Sequence, residues 1–101
     1  MATKDWFRRT TWSDLDQLGF FEHLARARKT TRAQYLRIQA YHLQDVGLIE
    51  PATSLLNQML VEYPDITEMA CAYHQRAQCH LMQGQPDEAI EDFRRVFKTE
   101  R

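Results

Sequence analysis

Two cysteine–histidine pairs are the first residues in this sequence with the means to do chemistry. Cys71 and His74 stand three apart, so a helix would put them on one face, and Cys79 is followed directly by His80. A thiol beside an imidazole can ligate a metal or serve as an activated nucleophile. The remaining pattern completes neither site. A structural zinc site brings closely paired ligands in two clusters, and the other histidines, His23 and His42, share no such spacing with these residues. A Cys–His nucleophile needs a third group to orient it, and none can be named. Reduced thiols are expected, because eight residues of one helix set the two positions about 12 Å apart along its axis, beyond the roughly 7 Å limit between the Cα atoms of a disulfide. No glycine-rich phosphate loop, HExxH or Gly-x-Ser-x-Gly occurs. The expectation is a non-enzymatic chain with no catalytic residue, no metal ligand and no cofactor.

The basic run ARARKTTRAQYLR, from Ala25 to Arg37, is the other stretch with chemical potential, since phosphate neutralisation needs clustered lysine and arginine. Three of its arginines fall at a helix end, where dipole and solubility account for them, and the chain is net acidic at -1, so nucleic acid is not the expected partner. Charge is nevertheless uneven. Residues 1–40 carry eight basic against four acidic side chains and residues 41–101 five against ten, a dipole that could steer a partner or favour self-association. At 101 residues, 44% hydrophobic and 27% charged, the composition suits one small folded domain. The longest apolar run, Met69 to Tyr73, is far too short to cross a membrane, and MATKDWFRRTTW lacks the apolar core of a secretory signal, so a cytoplasmic protein is expected.

The elements that must position these residues are helical. Only three glycines and three prolines occur, five of the six where helices start or stop, and no hairpin signal or alternating apolar stretch points to a strand. A first helix over about 13–28 starts at the N-cap Ser13 and buries Leu15, Leu18, Phe21, Leu24 and Ala25, with Gly19 a weak spot. A second begins after Thr31 and ends at Gly47. A third runs from Glu50–Pro51 to Pro64 around Leu55, Leu56 and Met59. A fourth over about 67–82 has Ala70, Tyr73, Ala77, His80 and Leu81 inward. A fifth opens at Pro86 with Ala89, Ile90, Phe93, Val96 and Phe97 expected on its buried side.

A shift of 37 residues superposes Gly84 on Gly47, Ala77 on Ala40, Ala89 on Ala52 and Phe93 on Leu56. Two antiparallel helices that cross closely need small residues at the crossing, a glycine turn and a bulky group between units. Through AYHLQDVGLIEPATSLLNQMLVEYP and YHQRAQCHLMQGQPDEAIEDFRRVF the chain resembles the tetratricopeptide repeat family. Tyr73 stands for its tryptophan, Ala77 for its small residue, Ala89 and Phe93 for its alanine and aromatic, and Pro64 for its terminal proline. Departures are Gln39 and Arg76 at a usually apolar position, Arg101 where a second proline would stand, and three extra residues in the PDITEMA turn. FFEHLARARKTTRAQYLRIQA also looks like the opening of small bacterial tetratricopeptide proteins of unassigned role. The resemblance implies an all-α fold of about five helices, stacked as antiparallel helix-turn-helix repeats in a right-handed solenoid. Its parts would be a leader and capping helix over 1–32, one repeat over 33–66 and a second over 67–101.

The family holds a peptide or helix of a partner protein on the concave face lined by first helices, which makes this chain an expected adaptor or scaffold. The groove positions here are Gln34, Arg37, Ile38, Tyr41 and Gln44, then Cys71, His74, Gln75 and Gln78. Arg37 could pair with a partner carboxylate, Tyr41 offers a rigid apolar plane, and the glutamines could satisfy a peptide backbone. The family's carboxylate clamp uses lysine and asparagine here, from which Tyr41 departs. An immunity- or chaperone-type protein that occludes a partner's surface is the alternative within this class. At the far end no sixth helix covers Ile90 and Phe97, so they are self-association candidates for a homodimer or assembly unit, unless the chain is cut from a longer array or they fold back on the core. Trp6, Phe7 and Trp12 are expected to staple the first helix.

Overall fold

A computed structural model describes residues 5–99; residues 1–4 of the leader, and Arg101 at the expected second proline position, lie outside it. A 3-10 turn, Asp5–Phe7, precedes five α-helices: α1 Asp14–Arg26, α2 Lys29–Asp45, α3 Ile49–Glu62, α4 Ile66–Met82 and α5 Pro86–Thr99. No strand occurs among the described residues.

The 37-residue period recurs in the backbone. The boundaries of α2 and the start of α3 map onto those of α4 and α5 by the same displacement: Lys29 to Ile66, Asp45 to Met82 and Ile49 to Pro86. The turns repeat as well. Gly47 and Gly84 adopt φ of 87° and 70°, where a Cβ would be strained. In each turn the glycine N–H donates to a carbonyl three residues back, Gln44 or Leu81, and the next residue's N–H donates to Leu43 or His80. This is the double bond that closes a helix through a left-handed glycine, and it reverses the chain in three residues.

Short turns make the pairs antiparallel. Arg32 stacks its guanidinium over Tyr63, 5.8 Å from the ring centre, across the α2–α3 pair. In the second pair, Arg76 reaches Asp92 and His74 lies edge-on to Phe93. α4 packs against α2, α3 and α5. It therefore buries residues on several sides, Ala72, Gln75, Ala77 and Cys79, rather than one stripe. Leu81, assigned from sequence to its inner face, is half exposed.

The first helix corrects a second expectation. Leu15 and Leu18 are 79% and 59% exposed and Ala25 is exposed; Leu24 is buried as expected, and Phe20, outside the expected stripe, is buried with it. Aromatic packing accounts for the rotation. Phe20 sits 5.5 Å from the Trp6 ring, 5.6 Å from Trp12 and 5.1 Å from Phe21, and Trp6 and Phe7 close on Tyr35 of α2 at 4.8 and 4.7 Å. Rings of this size bury more apolar area than leucines can. The leader thus fills the gap between α1 and α2. A Cβ at Gly19 would lie 2.7 Å from Nη2 of Arg9, whose flexible end would have to shift. Arg9 bonds the Trp6 carbonyl and Asp16. Asp16 completes a capping box with Ser13. Hydrogen bonds from Thr11, then from the Ser13 backbone and hydroxyl, lower its pKa to about 2.

Two polar groups at equivalent positions of the two repeats, Gln39 fully buried and Arg76 half-buried, hold the layers together. Gln39, with no exposed surface, accepts from the Arg9 N–H at 3.0 Å and donates to the Arg9 carbonyl at 2.8 Å, clasping the leader to α2. Arg76, 37 residues on, grips Asp92 with Nε and Nη2, both at 2.7 Å, and reaches Asn57 of α3 with Nη1 at 2.9 Å. Arg95 adds a 2.6 Å bond to the same carboxylate. Burial alone would push the Asp92 carboxyl up, but the bonds and charge of Arg76, and then of Arg95, outweigh it and hold the group below its ordinary value.

Two outcomes follow from these ties. Asp92→Asn strands the Arg76 charge and should lower unfolding free energy by about 3 kcal/mol in urea titrations at pH 7. The folded-state pKa is depressed, so this stabilisation is complete above the ordinary carboxylate value of about 3.9 and is lost as pH falls through it toward the folded value. The gap between wild type and variant should therefore narrow below about pH 4. Gln39→Leu leaves the Arg9 N–H and carbonyl without partners and should cost about 1–3 kcal/mol, with faster amide exchange over residues 5–13 than over α4 and α5.

Candidate functional site

The two long helices α2 and α4 present repeat-related residues to one side. The 37-residue displacement relates Gln34 to Cys71, Arg37 to His74, Ile38 to Gln75 and Tyr41 to Gln78. A cavity of about 410 Å³ opens between them, lined by Arg37 and Tyr41 of α2, Ala70, Cys71, His74, Gln75 and Gln78 of α4, and Val96 of α5. Six of the nine groove positions read from sequence thus meet at one cavity.

The other three lie elsewhere. Gln34 is exposed outside the lining, and Ile38 is half-buried against the core. Gln44 is 8% exposed, and its Oε1 has no hydrogen-bond partner. Its position just before the α2–α3 turn carries it inward rather than into the groove, which corrects the expectation for this residue.

Arg37 also differs from expectation, for its guanidinium is already committed. Nε donates to Glu68 in the first turn of α4, and Nη1 donates to Gln75 Oε1 at 3.2 Å. Gln75 in turn donates through Nε2 to the Arg37 carbonyl at 3.2 Å. Glu68 and Gln75 are seven residues apart, two turns of one helix face, so a single arginine spans both. The carboxylate offsets the Arg37 charge at the cavity wall and fixes the side chain in place. The unused N–H groups of the fork remain donors without a net charge behind them.

The remaining wall is apolar with polar tips. Tyr41 is 53% exposed, Ala70 and Val96 are half-buried, and His74 is exposed with its ring edge-on to Phe93 at 5.7 Å. Cys71 is exposed at the cavity, whereas Cys79 is buried, its thiol pushed up by burial despite a Thr53 hydrogen bond. No group of three His, Cys, Asp or Glu side chains able to hold a metal ion occurs among the described residues. The site can therefore bind an apolar group and orient it with amide, imidazole and guanidinium donors. Sequence reasoning missed Glu68, Ala70 and Val96. The i, i+7 spacing of Glu68 and Gln75 was a usable signal for the first, but Val96 enters from α5, the partner helix of α4, and needed the packing itself.

The basic run is likewise occupied at two of its arginines. Arg32 donates to the carbonyls of Ala27 at 3.1 Å and Ala25 at 2.9 Å, satisfying the end of α1, and Arg37 is held as described. No helix among the described residues is long and apolar enough to cross a membrane. No family model matches the chain, and comparisons with curated proteins and with solved structures also find no match.

Proposed function

We propose that the chain is a non-enzymatic interaction module of tetratricopeptide type, which takes a peptide segment of a partner protein into the cavity between α2 and α4. The observation that carries this reading is the composition of that cavity: apolar walls from three helices, ringed by donors whose charge is internally balanced. A volume of about 410 Å³ is sufficient for one bulky apolar side chain. Gln78 and the free N–H groups of Arg37 can then meet the backbone on either side of it. With Glu68 against Arg37, the preferred segment is near-neutral and carries an aromatic or leucine anchor, rather than an acidic tail. The wall is held by the Arg37–Glu68–Gln75 bonds before the ligand arrives, which lowers the ordering entropy lost on binding.

A peptide library displayed on phage, selected against the 101-residue protein, tests this directly. Enriched sequences should share an apolar anchor. Their affinity should fall about 10-fold with Tyr41→Ala and be abolished by Cys71→Trp, which fills the cavity from an exposed position. No enrichment, or peptides that bind the Cys71→Trp protein as well as wild type, would remove the reading.

A further inference from the structure

The outer face of α5 carries a pattern that neither the core nor the cavity uses. Asp87, Ile90, Glu91, Arg94, Phe97 and Lys98 follow the spacing i, i+3, i+4, i+7, i+10, i+11, which puts all six on one face of the helix. All six are exposed, Ile90 at 48% and Phe97 at 75%. The opposite side is the buried one, with Ala89 and Asp92 facing inward. The possibility that Ile90 and Phe97 fold back on the core is therefore excluded.

We propose that this face is a homodimer interface, in which α5 packs antiparallel against α5 of a second copy of this chain. The order of charges selects the occupant. Along the face they run acidic, acidic, basic, basic: Asp87, Glu91, Arg94, Lys98. Turned end over end and laid on itself, the helix sets Asp87 opposite Lys98 of the second copy and Glu91 opposite Arg94, twice each by symmetry. A parallel pairing would instead put like charges together. The same reversal lays Ile90 against Phe97 of the second copy. The centre of the apolar pair falls one residue from the centre of the charge pairs, about 1.5 Å along the axis, well within side-chain reach. A twofold interface requires a patch complementary to itself, and this face meets that condition in both its charges and its apolar groups. The within-helix Arg94–Glu91 bond at 2.9 Å leaves both groups more than half exposed and able to join a four-charge cluster.

A single pair of 14-residue helices offers a small interface, so the dimer should be a weak one, with Kd on the order of 10–100 µM. This proposal rests on α5 alone and is independent of the peptide reading of the cavity.

Sedimentation equilibrium of the 101-residue protein, from about 5 to 500 µM, spans that range. The mass should rise from 12.0 kDa toward twice that value. Glu91→Arg and Arg94→Glu should each weaken association about 10-fold, because each places like charges opposite one another twice. An equimolar mixture of the two variants should regain association, since each then supplies the charges the other lacks. Circular dichroism of these surface variants should remain that of wild type. A monomer at every concentration, a dimer indifferent to both reversals, or a mixture no better than its components would each overturn the proposal.

Discussion

A carboxylate with no exposed surface has to be neutralised by its surroundings, and that requirement organises the second half of this molecule. Asp92 enters the interior on the inner face of α5, where an unpaired charge would be intolerable. Arg76 meets it in a two-point fork from α4 and extends a third donor to Asn57 of α3. Three helices are thus fixed by one guanidinium whose planar geometry permits little slippage. Tyr73 completes the arrangement, with the Arg76 and Arg95 guanidinium groups 5.5 and 5.9 Å from its ring centre. Apolar contacts alone would let α5 rotate or slide on α4. The ion pair sets which face of α5 points inward, and hence which residues remain outside.

The equivalent position of the first repeat does a related task by different means. Gln39 is neutral, and it pairs with the main chain of Arg9 rather than with another side chain. Amide to backbone suits a segment without regular structure, because it satisfies a donor and an acceptor that no helix supplies. Both residues were visible in the sequence as polar intrusions where a repeat usually places an apolar group. Their partners were not visible. Arg9 lies 30 residues from Gln39, and no local pattern announces that pairing.

The helices and their turns were legible because their causes are local. Gly47 and Gly84 need a positive φ, Ser13 caps α1, and small residues recur at the 37-residue period. The burial of α1 was legible only in part: Leu24 belongs to the expected stripe, but Leu15 and Leu18 satisfy helical periodicity as well as Phe20 does. The choice between those faces was made by Trp6, Phe7 and Trp12, which lie outside the helix. The cavity was half legible for a similar reason. Repeat symmetry locates the α2 and α4 residues, whereas the Glu68 that neutralises Arg37 belongs to helix packing.

The outer faces of α1 and of α5 solve one problem differently, and the contrast bears on how the described residues present their surfaces. Any helix pair in a stacked series has an apolar side that its neighbour covers. At the N-terminal end the chain supplies its own cover: aromatic side chains of the leader close over Phe20 and Tyr35, and the Gln39 clasp locks them down. At the other end the Asp92 ion pair commits the inner face of α5 and turns Ile90 and Phe97 outward. A buried charge pair adds little net stability compared with an apolar contact of the same size, but it is strongly directional. Its effect here is to hold one apolar stripe in solvent at a fixed angle, beside a charge sequence that is complementary to itself. The rigidity of the cavity wall and the exposure of Ile90 and Phe97 on α5 thus have a common origin in the polar ties of α4.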